Sequence, residues 1–217
     1  MTGPMRVGVL ISGRGSNLQA LIDASKSRDY PATIGCVVSN VAGVEGLRRA
    51  ERAGIATHVV PHTAYGSREA FDDAVDQILS SSDTALVCLA GFMRVLSDPF
   101  VQKWHGRLVN IHPSLLPAFK GLNVHRRVIE SGARISGCSV HFVVPELDSG
   151  PIIAQAAVPV WPDDTPDALA SRTLAAEHRL YPLALRLLAE GRVILDREQV
   201  RFRDVEQAGG ELFSPPL

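Results

Sequence analysis

Apolar residues follow two rhythms along this chain. Through its first half, short unbroken apolar runs alternate with stretches in which apolar positions recur every three or four residues. Arg6-Val7-Gly8-Val9-Leu10-Ile11, Thr33-Ile34-Gly35-Cys36-Val37-Val38-Ser39 and Thr84-Ala85-Leu86-Val87-Cys88-Leu89-Ala90 are runs of the first kind, expected as strands buried on both faces. Thr57 to Val60 and Arg107-Leu108-Val109-Asn110 predict two shorter strands. Helical spacing places Leu18, Leu21 and Ile22 on one helix, Leu47 to Ala53 on a second closed by Gly54, and Pro99 to Trp104 on a short one. Ser67 opens a clearly amphipathic helix with Ala70, Phe71, Ala74, Val75, Ile78 and Leu79 on one face.

Strands alternating with helices imply a parallel sheet with helices on both faces. The rhythm then changes. Ile135 to Val144 and Ile152 to Val160 read as strands joined by Pro145-Glu146-Leu147-Asp148-Ser149-Gly150-Pro151, a link so short that it favours antiparallel pairing. Thr165 and Pro166 start a long helix reaching Ala189, stopped by Gly191. Val193-Ile194-Leu195 and Val200-Arg201-Phe202 suit a small hairpin. The expected fold is α/β: a single-domain Rossmann-like sheet, mostly parallel, with an antiparallel C-terminal part.

Composition narrows the function. The 217 residues are 46% apolar and 21% charged, ordinary for a globular enzyme. A net charge of -1 argues against nucleic acid and anionic membrane as partners. Cys36, Cys88 and Cys138 form no CxxC pair, so buried reduced thiols are expected rather than a zinc site or disulfides. No HExxH occurs, so no metal is expected. No signal segment or membrane-length apolar run is seen, and a cytoplasmic location is expected.

Ligands of open parallel sheets bind beyond the carboxyl ends of the strands. The first strand runs into Gly13-Arg14-Gly15-Ser16-Asn17, which opens a helix. Its glycines would let backbone N–H groups approach a phosphate; the competing reading is a tight turn with Ser16 or Asn17 as helix cap. It is neither a Walker A loop nor a full GxGxxG, so NAD and ATP are not supported. A later strand ends in Gly91-Phe92-Met93-Arg94-Val95-Leu96, whose aromatic, thioether and guanidinium could line a slot for a flat heterocycle, or could be ordinary core plus a surface arginine.

The stretch Asn110-Ile111-His112-Pro113-Ser114-Leu115-Leu116-Pro117 carries the most information. Positions i and i+2 of an extended chain face one side, so an amide and an imidazole stand together, and the prolines exclude a helix beyond them. That pair suits a carbonyl carbon that becomes tetrahedral. Asp148 offers a carboxylate, although Asp-x-Gly also makes a plain hairpin turn. His141 could orient Asp148 or be a hydrogen-bonded structural residue. His58, His62, His105 and His125 lack companion motifs and are read as surface residues.

Four segments together resemble the phosphoribosylglycinamide formyltransferases, a family of folate-dependent enzymes. They are Ile11 to Ala20, Ala90-Gly91-Phe92-Met93-Arg94, Asn110 to Pro117, and Gly137 to Phe142 with Asp148-Ser149-Gly150-Pro151. The resemblance implies formyl transfer from 10-formyltetrahydrofolate, a co-substrate, to the amine of glycinamide ribonucleotide in purine biosynthesis. It implies a catalytic group of Asn110, His112 and Asp148, supported by His141. It places the substrate phosphate on Gly15, Ser16 and Asn17, with Glu177 near the glycinamide or ribose. It places the folate by Arg68, Phe92, Met93, Arg94, Val95, Leu96, Val143 and Leu147. The domain would span 1–217, with a phosphate-binding half at about 1–105, a catalytic and folate half at about 106–190 and a short tail. A monomer or homodimer acting on small molecules follows. Arg14 and the segment Ala118-Phe119-Lys120-Gly121 depart from the family's usual residues.

The expected chemistry is direct acyl transfer. Asn110 and a protonated His112 would stabilise the oxyanion, with contributions on the order of 3 kcal/mol per donor. Ser114 has no GxSxG elbow around it, which excludes an acyl-serine route. A deformylase would use the same trio with water as acceptor, but such relatives carry an extra N-terminal domain. A methionyl-tRNA formyltransferase would need an added RNA-binding domain and a basic surface. A non-catalytic nucleotide-binding module leaves the pairing of Asn110 with His112 without a reason.

Overall fold

The computed structural model describes residues 3–205 together with 209 and 214. Five strands lie parallel: β1 (Met5–Ile11), β2 (Ala32–Ser39), β3 (Ala56–Val59), β4 (Leu86–Leu89) and β5 (Leu108–His112). Two more, β6 (Ile135–Phe142) and β7 (Ile152–Pro159), continue the sheet antiparallel. The spatial order is β3-β2-β1-β4-β5-β6-β7, so the winding reverses between β1 and β4. Strands β8 (Val193–Asp196) and β9 (Gln199–Phe202) form the expected hairpin.

Pleating explains the two cores. Val7, Val9 and Ile11 of β1 face one side, packing with Leu18, Leu21 and Ile22 of α1 (Ser16–Ser25) and Tyr181 and Leu185 of α6 (Pro166–Ala189). Leu10 faces the other side with Phe71, Val75 and Leu79 of α3 (Arg68–Ser81) and Phe100 and Val101 of α4 (Asp98–Lys103). Each such buried side chain is worth about 1.5–3 kcal/mol against exposure. Helix α2 (Glu45–Arg52) joins the first core through Leu47 and Ala50. Ser67 caps α3 by accepting from the Ala70 N–H, and Thr165 caps α6 by accepting from Ala168, as their sequence positions imply.

One α-helix is absent from the sequence expectation. Helix α5 (Val124–Glu130) begins after Asn123, whose backbone is left-handed (φ 54°), and buries Val124 and Val128 against Leu169 of α6. All three cysteines are buried and unpaired, and burial pushes the Cys88 and Cys138 thiols up to about 12. Among the described residues, no helix is long and apolar enough to cross a membrane.

Candidate active site

The switch from parallel to antiparallel pairing at β5 assembles the chemistry. Asn110 pairs with Leu89 of β4 on one side and with His141 of β6 on the other. Asn110 and His112 project on the same side, as extended spacing requires. His141 is buried, and burial lowers its basicity, opposed by a hydrogen bond to the Phe142 carbonyl and by the Asp148 charge. Its Nδ1 donates to that carbonyl at 2.8 Å, leaving Nε2 to accept from the Asn110 amide at 3.3 Å. His141 therefore orients Asn110. Its distance to Asp148 Oδ1 is 3.9 Å, beyond hydrogen-bond reach.

Asp148 reaches the site from the β6–β7 turn in a left-handed backbone conformation (φ 48°). Two residues on, Gly150 packs so closely that a Cβ would stand 1.8 Å from the Phe142 carbonyl oxygen. The carboxylate accepts from the Gly121 N–H at 2.9 Å and lies 3.3 Å from His112 Nδ1, both side chains nearly buried. On its far side, His112 Nε2 donates to the Phe119 carbonyl at 3.0 Å. Carbonyl and carboxylate are both acceptors, so an imidazolium at His112 would find a partner for each of its N–H groups. Lys120 strengthens the closure by donating to Ser149 at 2.5 Å and pairing with Glu146 at 3.5 Å.

A cavity of about 660 Å³ opens over this trio. Phe92, Met93, Arg94, Val95, Leu96, Val143 and Leu147 line it with Asn110, His112, His141 and Asp148. Phe92 stacks on Phe71 at 6.4 Å between ring centres, backing one wall. A largely apolar cavity with a few converging polar groups has the general form of a small-molecule site. Arg68 is exposed at the head of α3 and stands outside this lining.

The glycine turn forms a second, polar region. Gly15 caps α1 in a left-handed conformation (φ 68°), and a Cβ there would stand 2.6 Å from Gly46 Cα. The capping roles considered for Ser16 and Asn17 are not taken up: the cap residue is glycine, and no side chain caps the helix. The Ser16 and Asn17 N–H groups stand in the first turn of a helix with positive N-terminal polarity, suited to an anion. Asn17 instead sends its amide inward, donating to Glu177 of α6 at 2.7 Å. Burial raises the Glu177 carboxyl above its usual range, and the Asn17 bond opposes that rise.

Sequence reasoning missed several members. Leu122, Val124, His125 and Arg126 line the cavity from α5 and the residues before it. His125, read as a surface residue, is half-buried with Nδ1 unpartnered, and burial lowers its basicity, with the His112 charge adding to the effect. The spacing of Val124 and Val128 was the available signal. His62, also read as free-standing, lies with Nδ1 3.2 Å from the Asn40 amide. Among the described residues, no group of three or more His, Cys, Asp or Glu is placed to hold a metal ion.

The sequence and the fold both match known proteins. The formyl transferase family matches over residues 5–185. The phosphoribosylglycinamide formyltransferase of Escherichia coli K12 is 49% identical over 189 residues, covering 87% of this chain and 89% of that protein. The crystal structure of glycinamide ribonucleotide transformylase 1 from Symbiobacterium toebii superposes with a TM-score of 0.90 at 48% identity, covering 93% of this chain and 95% of that one. The trifunctional purine biosynthetic protein adenosine-3 of Gallus gallus is 57% identical over 192 residues; the match covers 88% of this chain but only 19% of that much longer protein.

Proposed function

The chain belongs to the formyl transferase family, and from that membership we propose that it moves a formyl group from 10-formyltetrahydrofolate to the amine of glycinamide ribonucleotide, in purine biosynthesis. It is a folate-dependent one-carbon transferase. The observation that carries the reading is the convergence of Asn110, His112 and Asp148 in one largely apolar cavity. The donor's ring takes the apolar walls from Phe92 to Leu96 and from Val143 to Leu147. The ribonucleotide phosphate takes the N–H groups of Gly15, Ser16 and Asn17, with Glu177 beside the glycinamide or ribose. Arg68 lies outside the cavity lining, so its part is limited to charged groups projecting from the slot.

The amine attacks the formyl carbon, forming one C–N bond as the bond to N10 of the folate breaks. Asn110 uses one amide hydrogen on His141, and its second is free for the developing oxyanion. A positively charged His112, its two N–H groups taken by Phe119 and Asp148, would add to that stabilisation through space. Asp148, directly or through water, takes the amine proton and passes it to the departing N10. Protons and charge then balance with no covalent enzyme intermediate.

The whole chain acts as one formyltransferase domain, a monomer or homodimer. Its partners are small molecules, a reading supported by the net charge of -1. The buried unpaired thiols support a reducing, cytoplasmic setting. The decisive assay supplies 10-formyltetrahydrofolate first with glycinamide ribonucleotide, then with water alone. Formyl appearing on the ribonucleotide amine, with the donor stable in its absence, is the expected result. Rapid hydrolysis without the ribonucleotide would overturn the choice of acceptor in favour of a deformylase.

A further inference from the structure

The two substrate regions meet at one small side chain. Ser12 follows the end of β1 and directly precedes the glycine turn. Its N–H donates to the Gly91 carbonyl at 3.2 Å. Its hydroxyl accepts from the Met93 N–H at 2.8 Å and donates its single hydrogen to Asn40 Oδ1 at 2.6 Å. Asn40 is buried beyond the end of β2, with its amide nitrogen 3.2 Å from His62. One hydroxyl thus ties the wall of the cavity to the ends of β1 and β2.

Each tied segment has other restraints as well. The Gly13 carbonyl accepts from the Gly46 N–H and the Arg14 carbonyl from Arg49 Nε, each at 3.0 Å, so the turn also leans on α2. The far end is fixed separately, by Gly15 against Gly46 and by Asn17 on Glu177. The cavity wall from Phe92 to Ser97 is irregular backbone. It is held near the turn by Ser12, and at its other end by the buried Asp72, which accepts from the Ser97 N–H at 2.6 Å.

We propose that Ser12 is a positioning residue for both substrates: through its hydroxyl, the phosphate turn and the heterocycle wall share one anchor. This rests on the formyl-transfer reading above. Asp72 anchors the wall alone and belongs to the donor side only. Ser12 touches neither the reacting carbon nor the transferred proton, so its loss falls on KM rather than on kcat.

The test is steady-state kinetics of the full chain with both substrates varied, each variant first checked by thermal melting. Ser12→Ala strands the buried Asn40 oxygen and frees Met93, and is expected to raise both KM values about tenfold while kcat changes less than about threefold. Ser12→Thr keeps the hydroxyl and is expected to restore both. Asp72→Ala is expected to raise the KM of the formyl donor alone. Should Ser12→Ala not fold, Asn40→Ala removes the hydroxyl's acceptor and is expected to move both KM values the same way. The proposal is overturned if Ser12→Ala leaves either KM within twofold of wild type, if Thr behaves like Ala, or if kcat alone falls. Absence of transfer by the wild-type protein would instead count against the formyl-transfer reading; titration of tetrahydrofolate and of glycinamide ribonucleotide against both proteins would still decide the role of Ser12.

Discussion

At the turn Gly13–Asn17 the groups available to a ligand are main-chain N–H donors, and the side chain of Asn17 looks away toward Glu177. In the cavity beyond β4 and β5 the lining groups are side chains: aromatic and aliphatic walls closing on an amide, an imidazole and a carboxylate. Backbone donors read charge and shape, and they need small residues so that the chain can approach. Side chains read chemistry, and they need neighbours to fix their rotamers. Substitutions should therefore separate into two kinds, affecting chemistry at one region and affinity at the other.

The sharpest separation lies at Asp148. Asp148→Asn keeps an acceptor for the Gly121 N–H and tolerates the left-handed backbone, yet it removes the proposed proton carrier. Its kcat is expected to fall about a thousandfold with both KM values near wild type, measured by initial rates. Asn110→Ala is expected to cost about a hundredfold in kcat through the lost oxyanion donor, measured in the same assay. At the other region, Gly15→Ala forces a Cβ against Gly46 at a positive φ. Its thermal midpoint should drop by the equivalent of about 1–3 kcal/mol, and the KM of the ribonucleotide alone should rise at least about tenfold. A comparable loss of kcat would erase the distinction between the regions.

Two weaker effects refine it. The native Glu177 carboxyl holds its proton more tightly than the unfolded chain, whose value lies near 4.5. Stability contributed by the protonated form is therefore lost as pH climbs from there through the raised native value. Glu177→Gln removes that loss, so urea melts should show a flatter dependence on pH, with the variant gaining on wild type as pH rises. Leu122, 77% exposed on the cavity rim, should matter least: Leu122→Ala is expected to raise the donor's KM no more than about threefold, seen by titrating the donor.

What was legible in the sequence followed from periodicity. The apolar runs located all seven strands of the sheet, and the extended spacing put Asn110 and His112 on one side. The approach of Asp148 to His112 was not legible from spacing, because 36 positions separate them and only the β6–β7 turn closes the distance. The Phe119 carbonyl and Gly121 N–H that fix the pair are main-chain groups, which any residue supplies, so no residue type could reveal them. Helix α5 was hidden by its length and by an Asn123 that starts it without a side-chain cap. Arg68 was assigned to the folate side by resemblance, and its exposed place outside the cavity lining keeps that assignment apart from the rest.

The ladder between β5 and β6 sets Asn110 opposite His141. That register is fixed by main-chain pairing, and a slip of one residue would turn His141 to the other face of the sheet. The excursion from Pro113 to Arg134 can therefore change in length and sequence without misaligning those two side chains. Asp148 has no such protection, since Gly121 and Phe119 of that same excursion hold it and its partner His112 in place. Drift in this loop during divergence would leave the amide and its supporting imidazole intact while shifting the carboxylate and its imidazole partner.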